Sequence, residues 1–367
     1  MNQLQRNPVQ TKRKHKTNDY EIEKITTQEL FTLHCKTRRL EMGMIELTST
    51  CNLRCLHCYL GHMTHIASSK KNEITLKEIQ KYVDDFADHG CYKIILTGGE
   101  PLTRKDFLKI YDYAYTKDFL IFLFTNATLF DSKIASFLKD RKPFLIEPPV
   151  YGMTKDTYET VTRVPGSYKK FWDGIHHIKD QSLPLGLKFI VLQQNKHELF
   201  DFIRFCKEKN IPYRVDPFIH PRLNKDRQPY AYRLPPGEAA QLLYQCLGSE
   251  KLVNNRTQVF SHCSAGLVNA YISSTGFLRA CPSLLELNKK SATNLRKHTF
   301  DEARRSLSTR PSFPVEKKCK TCTAFIYCNQ CAGKPLLATG NKKAALEYQC
   351  RFALAVEKIK KDDIKVF

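Results

Sequence analysis

Between residues 42 and 216 short apolar runs alternate with amphipathic stretches about six times. Met42-Gly-Met-Ile-Glu-Leu-Thr48, Tyr92-Lys-Ile-Ile-Leu96, Phe119-Leu-Ile-Phe-Leu-Phe124, Phe144-Leu-Ile-Glu147, Leu187-Lys-Phe-Ile-Val-Leu192 and Pro212-Tyr-Arg-Val-Asp216 each read as a strand, the fourth cut short by Pro148-Pro149. The stretches between them read as helices. The first opens on Thr75-x-x-Glu78, a capping box, sets Ile79, Val83, Phe86 and Ala87 on one face, and stops at Gly90. Further helices are expected over about 103–116, 131–139, 168–179, 198–209 and 238–247. Repeated strand–helix alternation builds a parallel sheet of βα units. Eight units close a full barrel, so six predict an α/β fold of the partial (β/α)6 TIM-barrel kind.

Active sites of such sheets lie beyond the carboxyl ends of the strands. Five features fall there: a cysteine loop after the first strand, Thr97-Gly98-Gly99-Glu100, Asn126, Pro149–Gly152 and Asp216. The loop, Cys51-Asn-Leu-Arg-Cys55-Leu-His-Cys58-Tyr59, has the spacing C-x3-C-x2-C. Three thiolates from one loop can hold three irons of a 4Fe–4S cubane and leave the fourth open to an outside ligand. A zinc loop short of one ligand, or three buried thiols, would share this spacing. Fourteen cysteines, with no apolar signal core at the N-terminus and no apolar run of membrane length, predict a cytoplasmic chain that uses thiols for metal rather than disulfides. Ten of the fourteen sit in clustered spacings; Cys35, Cys91, Cys206 and Cys246 are scattered.

The formal net charge is +22. Such a surface suits nucleic acid, an anionic membrane or an acidic polypeptide, and it equally describes a solvated basic exterior. No nucleic-acid-binding motif accompanies it. Residues 1–18 are polar and basic, with the block Lys12-Arg13-Lys14-His15-Lys16, and read as an arm. After a Pro- and Arg-rich connector, cysteine density rises from His262 onward. Cys263 and Cys281 flank Tyr271-Ile-Ser-Ser-Thr-Gly-Phe-Leu-Arg279, a hairpin turning at Gly276. Cys319-x2-Cys322-x5-Cys328-x2-Cys331 and Cys350 follow. The expected division is 1–40 arm and lead-in, 41–216 barrel, 217–258 connector and helix, and 259–367 a small cysteine-rich α+β domain.

C-x3-C-x2-C followed one βα unit later by Gly98-Gly99-Glu100-Pro101 resembles the radical S-adenosylmethionine (SAM) enzymes. The seven C-terminal cysteines resemble the SPASM extension of that family, and Val150-Tyr-Gly together with Tyr158-Glu-Thr-Val-Thr-Arg-Val-Pro-Gly-Ser167 resembles its peptide-modifying members. The resemblance covers about residues 42 to 355. It implies that Cys51, Cys55 and Cys58 hold a cluster whose open iron chelates SAM, and that an electron from it yields a 5′-deoxyadenosyl radical. It implies SAM contacts from Thr97, Gly98, Gly99 and Glu100 at the amino group and from Tyr59 near the adenine, where His57 packs over the cluster. Relatives often place a serine where Pro149 stands. Asn126 or Glu147 would then replace its ribose contact, and Arg163 would pair with the SAM carboxylate. Asp216 either orients substrate, as the one candidate catalytic residue, or caps its own turn.

The same resemblance gives two auxiliary 4Fe–4S clusters. Cys319, Cys322, Cys328 and Cys350 would hold the outer one. Cys263, Cys281 and Cys331 would hold the inner one, its fourth iron left open or filled by His262, Cys246 or a substrate atom. The implied reaction is hydrogen abstraction from a residue of a ribosomally made, acidic precursor peptide, giving a cross-link, an oxidation or an epimerisation. Flavodoxin or ferredoxin would supply the electron, and a separate protein would bind the leader peptide, since the N-terminal segment is short for a recognition domain of its own. The alternatives are the same radical acting on a tetrapyrrole or sugar, and a zinc or iron–sulfur protein that binds nucleic acid.

Overall fold

A computed structural model of the chain describes residues 37, 39–61, 72–252, 265–284, 292–307, 319, 321–328, 337–339 and 347–364. The basic block at 12–16, His262, Cys263 and Cys331 lie outside the described residues. The strands are β1 Met42–Glu46, β2 Lys93–Thr97, β3 Leu120–Leu123, β4 Leu145–Ile146, β5 Pro149–Val150, β6 Leu187–Ile190, β7 Tyr213–Asp216, β8 Asn269–Ile272, β9 Phe277–Arg279 and β10 Thr293–Asn294. The helices are α1 Leu76–Asp88, α2 Phe107–Tyr115, α3 Ser132–Lys139, α4 Lys155–Thr162, α5 Ser167–Asp180, α6 Leu199–Glu208, α7 Pro236–Leu252, α8 Phe300–Leu307 and α9 Glu347–Ile364.

All six expected strands are present. Pro148 and Pro149 do more than shorten the fourth. The chain leaves one sheet at Ile146 and re-enters a second at Pro149, because a proline has no N–H for a ladder. The first sheet runs β10-β9-β8-β1-β2-β3-β4 and the second β5-β6-β7. Pairing within β1–β4 and within β5–β7 is parallel. The helix expected from 103 begins instead at Phe107, after a 3-10 turn over Pro101–Thr103. There Arg104 pairs with Asp106 at 2.7 Å and donates to Leu47 O and Ile74 O. The short helix α4 was not foreseen. Gly248 lies at φ +74° with non-helical geometry inside α7.

Alternation along the strands decides which residues face the barrel interior. A Cβ on Gly43 would lie 2.6 Å from the Phe86 ring of α1. Gly43, Ile45 and Leu47 therefore face the helices, and Met42, Met44 and Glu46 face inward. The capping box on α1 forms as expected, Thr75 N donating to Glu78 Oε2 at 2.7 Å, and Gly90 ends the helix at φ +77°. On β6 the Phe189 ring meets Phe202 of α6 at 4.9 Å, so Lys188 and Ile190 turn inward. Their register partners on β7, Arg214 and Asp216, do the same.

The hairpin expected at Gly276 forms, with φ +80° at the glycine, but it is no separate body. β8 pairs in parallel with β1, from Met42↔Asn269 to Ile45↔Ile272, so one sheet runs through the expected domain boundary. Inward-facing Glu46, 5% exposed, accepts hydrogen bonds from the Tyr271 hydroxyl and, at 2.8 Å, from Ser274 Oγ. Burial pushes its carboxyl above the ordinary range, against those two donors. No helix among the described residues is long and apolar enough to cross a membrane.

A chain ended at residue 258 exposes the β1 edge and strips Glu46 of both donors. It is expected to aggregate, or to lose slow-exchanging β1 amides in hydrogen exchange, where the full chain keeps them. Tyr271→Phe removes one donor from a buried carboxyl and is expected to cost about 1–3 kcal/mol in urea unfolding.

Candidate active site

The exits of β1 and β2 are pressed together. A Cβ on Gly98 would sit 2.6 Å from Thr48 O, and one on Gly99 would sit 2.4 Å from Thr50 O. Gly99 N donates to Thr48 O and Glu100 N to Thr50 O, both at 2.8 Å. Neither glycine has a positive φ. What the pair uses is the close backbone approach that the lack of a side chain allows.

Glu100 is fully buried. Its Oε1 accepts from Leu102 N at 3.0 Å and Thr125 Oγ1 at 2.7 Å, and its Oε2 accepts from Asn126 N at 2.6 Å. The carboxylate thus ties the turn after β2 to the turn after β3. Burial pushes its pKa up to about 7, with the three donors pulling the other way. Asn126 continues the tie. Its Nδ2 donates to Asn52 Oδ1 at 2.9 Å, its Oδ1 accepts from Thr128 Oγ1 at 2.6 Å, and Asn52 Nδ2 donates to Thr128 Oγ1 at 2.7 Å. This ring of three side chains holds the cysteine loop at its second residue.

From the other side α4 holds the loop by its carboxyl end. Arg54 N donates to Thr162 O and Leu56 N to Val161 O, both at 3.0 Å. The three thiols stand near enough to raise one another's pKa, after burial, which is the larger cause and takes Cys51 up to about 12. Polar hydrogens point at them: Leu53 N at 3.4 Å and Asn126 Nδ2 at 3.8 Å from Cys51 Sγ, the Leu60 and Gly61 amides toward Cys58, and the Tyr151 hydroxyl toward Cys55. The His57 ring lies 5.1 Å from that of Tyr151 with a buried Nδ1 that has no partner, and burial lowers its pKa to about 4.

Residues 45–206 match the radical SAM superfamily. Over that stretch the chain is similar to radical SAM proteins. The Fe-coproporphyrin III synthase of Methanosarcina barkeri is 29% identical over 170 residues, 45% of this chain and 41% of that protein. The GTP 3′,8-cyclase of Desulforamulus reducens is 32% identical over 183 residues, 48% of this chain and 54% of that protein. The chain spans about half the length of the curated relatives it matches. Among solved structures, anSMEcpe with bound AdoMet superposes with a TM-score of 0.69 at 17% identity, covering 89% of this chain and 98% of that one. Streptococcus suis SuiB bound to precursor peptide SuiA gives 0.67 at 15% identity, covering 92% and 84%. At these identities the likeness is one of fold.

The N-terminal thiols fit a cubane by their donor set. Three sulfurs on one loop face N–H and O–H groups, which is the surrounding that stabilises cluster sulfur. Among the described residues no group of three His, Cys, Asp or Glu side chains could hold a single metal ion. A cubane makes a different demand, giving each thiolate its own iron.

The remaining expected residues scatter around this loop. Thr97 ends β2 opposite Glu46, and its carbonyl accepts from Leu47 N at 2.7 Å. Tyr59 is exposed, and its carbonyl accepts from Leu223 N at 2.9 Å. Asp216 pairs with Lys188 at 2.9 Å and accepts from Phe218 N at 3.0 Å. Glu147 is paired with Arg214. Arg163 is exposed and ends α4 in the left-handed region at φ +57°. Of the auxiliary set, Cys319 and Cys328 are buried beside the turn Thr323–Tyr327, while Cys281, Cys322 and Cys350, the last on α9, are half-buried. Cys246 is half-buried on α7.

Sequence reasoning passed over Glu46, Tyr151, Tyr158, Lys188, Arg222 and Tyr271. Glu46 and Lys188 carried a signal, each a charge at an alternate position of an otherwise apolar strand. Arg222 carried none. It sits in the stretch read as a connector, yet its side chain packs where a Cβ on Gly61 would be, 2.6 Å away, and its charge acts on Cys58.

Gly99→Ala drives a methyl into Thr50 O and is expected to abolish iron loading on the N-terminal thiols. Gly237→Ala, with nothing within 4 Å of its Cβ position, is expected to leave loading intact. Iron and sulfide content after anaerobic reconstitution checks both. Asn126→Ala opens the ring with Asn52 and Thr128, and faster hydrogen exchange across 51–56 is expected.

Proposed function

We propose that the chain is an enzyme that cleaves S-adenosylmethionine reductively and uses the radical to take a hydrogen atom from a bound substrate. The observation that carries this reading is the joint seating of the cysteine loop and the Gly98-Gly99-Glu100 turn by direct backbone hydrogen bonds at the carboxyl ends of β1 and β2. Cys51, Cys55 and Cys58 would hold the cluster, with the carbonyls around Gly98 and Gly99 facing the amino group of SAM. Glu100 has one lone-pair direction left after its three internal donors. Asn126, Tyr59 and Arg163 remain the proposed ribose, adenine and carboxylate contacts. When bound, a 4Fe–4S cluster with one open iron supplies the electron that splits SAM and so generates the 5′-deoxyadenosyl radical.

The chain's own part is placement and exclusion of water. Inward-facing Glu46, Tyr271, Lys188 and Asp216 line the barrel interior beneath that site and would orient the substrate. Cys319, Cys322, Cys328 and Cys350, and Cys263, Cys281 and Cys331, are proposed as the ligands of two auxiliary clusters. A peptide is the substrate class favoured by the net charge of +22, by the order of the C-terminal cysteines and by a fold shared with SuiB, solved with its precursor peptide. A ferredoxin or flavodoxin is the proposed reductant. A second reading, a tetrapyrrole, is favoured by the sequence relatives, which include an Fe-coproporphyrin III synthase and AdoMet-dependent heme synthases.

Anaerobically reconstituted protein, given SAM and dithionite, is expected to release 5′-deoxyadenosine, and Cys51→Ala, Cys55→Ala or Cys58→Ala to release none. Protein that holds only zinc, or a cluster whose electron paramagnetic resonance (EPR) signal ignores SAM, sinks the proposal. A Soret shift on adding iron coproporphyrin III would favour the tetrapyrrole; a short acidic reading frame beside this one would favour the peptide.

A further inference from the structure

Tyr158 lies on α4, the helix whose carboxyl-end carbonyls hold the cysteine loop. Its residue is 0% exposed, and its hydroxyl has no hydrogen-bond partner within the protein. It is held there from all sides. Its ring packs 5.8 Å from Tyr151, 5.9 Å from Tyr168 and 5.1 Å from Phe171. Its backbone N lies 2.7 Å from where a Cβ on Gly152 would be. Three and four residues further on, Val161 O and Thr162 O accept from the cysteine loop, so the helix cannot move away from the thiols without breaking that seam. The charged or ionisable groups that act on the phenol are Cys55, Glu100 and Cys51, in that order, and burial and these neighbours push its pKa well above the ordinary range. It therefore stays a neutral donor.

A buried O–H without an acceptor is costly and rare. Glu100 already accepts three hydrogen bonds, whereas the sulfurs of a cluster present several acceptor directions, of which the Tyr151 hydroxyl takes one at Cys55. We propose that the Tyr158 hydroxyl donates a hydrogen bond to sulfur of the cluster held by Cys51, Cys55 and Cys58, at or beside the Cys55 thiolate, and so raises the potential at which that cluster is reduced. The physical reason is charge: reduction adds negative charge to the sulfurs, and a fixed donor stabilises the reduced form more than the oxidised one. Tyr158 is a positioning and tuning residue here and not a catalytic one, since it touches neither the scissile bond nor the substrate. Tyr151, whose hydroxyl is directed at Cys55 and whose ring packs 5.8 Å from that of Tyr158, makes the cradle a two-phenol site.

The inference rests on the cluster assigned under the proposed function, and its test separates the two. The full chain is reconstituted anaerobically, and the EPR signal that changes on adding SAM is titrated against potential, which singles out the N-terminal cluster from any auxiliary one. Tyr158→Phe is expected to load the same iron and sulfide per chain, to be reduced at a more negative potential, and to lose one exchangeable proton coupling in pulsed EPR. Fluorotyrosine in place of Tyr158 keeps the packing and strengthens the donor. It is expected to move the potential the opposite way, and it decides the matter should the phenylalanine variant fail to load. An unchanged potential in a loaded variant overturns the inference. So does an unchanged potential with weakened SAM binding, which would assign the hydroxyl to Glu100. Absence of any SAM-responsive signal from the unsubstituted chain defeats the functional reading itself.

Discussion

Two backbone segments lie against each other with no side chain between them, and most of the site depends on that contact. Thr48–Thr50 and Gly98–Glu100 approach so closely that a single methyl on Gly99 would lie 2.4 Å from a carbonyl oxygen. The gain is directional: two 2.8 Å hydrogen bonds, at Thr48 and Thr50, set the path of the chain between β1 and Cys51. A loop with three thiols and no regular structure of its own needs such outside ties to hold its sulfurs at fixed spacing. Sites need this kind of support around their first ring of ligands.

The rest of the cradle extends the same logic outward. Glu100 ties the second turn to the third, Asn126 ties the third to the cysteine loop, and α4 ties the loop's middle from the far side. Each tie uses a buried polar group that would be expensive to leave unmade, so the elements are committed to one arrangement. The same buried polar chemistry joins the barrel to the C-terminal hairpin, where Glu46 takes its partners from Tyr271 and Ser274. The hairpin is thereby part of the barrel wall.

The inward faces of the strands are less apolar than a barrel core needs for packing alone. Lys188 pairs with Asp216, Arg214 with Glu147, and buried Glu46 takes hydrogen bonds from Tyr271 and Ser274, as a buried carboxyl requires. A polar interior beneath the cysteine loop is what a substrate-holding cavity requires. The stretch after β7 adds to it, since it returns over Tyr59 and places Arg222 beside Cys58.

The strands, the α1 capping box, the Gly276 hairpin, the cysteine trio and the glycine pair were all legible in the chain, because each depends on local periodicity or on fixed spacing between neighbours. The helix α4 was not legible, since eight residues of KDTYETVT carry too weak an apolar stripe to announce themselves. Nor was the sheet's passage through the expected domain boundary, because β8 pairs with β1 across more than two hundred residues and pairing partners leave no local trace. Sequence by itself determined that three thiols share one loop at the end of a βα barrel's first strand. Tertiary structure alone decided which polar hydrogens meet those thiols, those of Asn126 and Tyr151 among them, because each arrives from a separate element and only the packing of the elements brings them to one place.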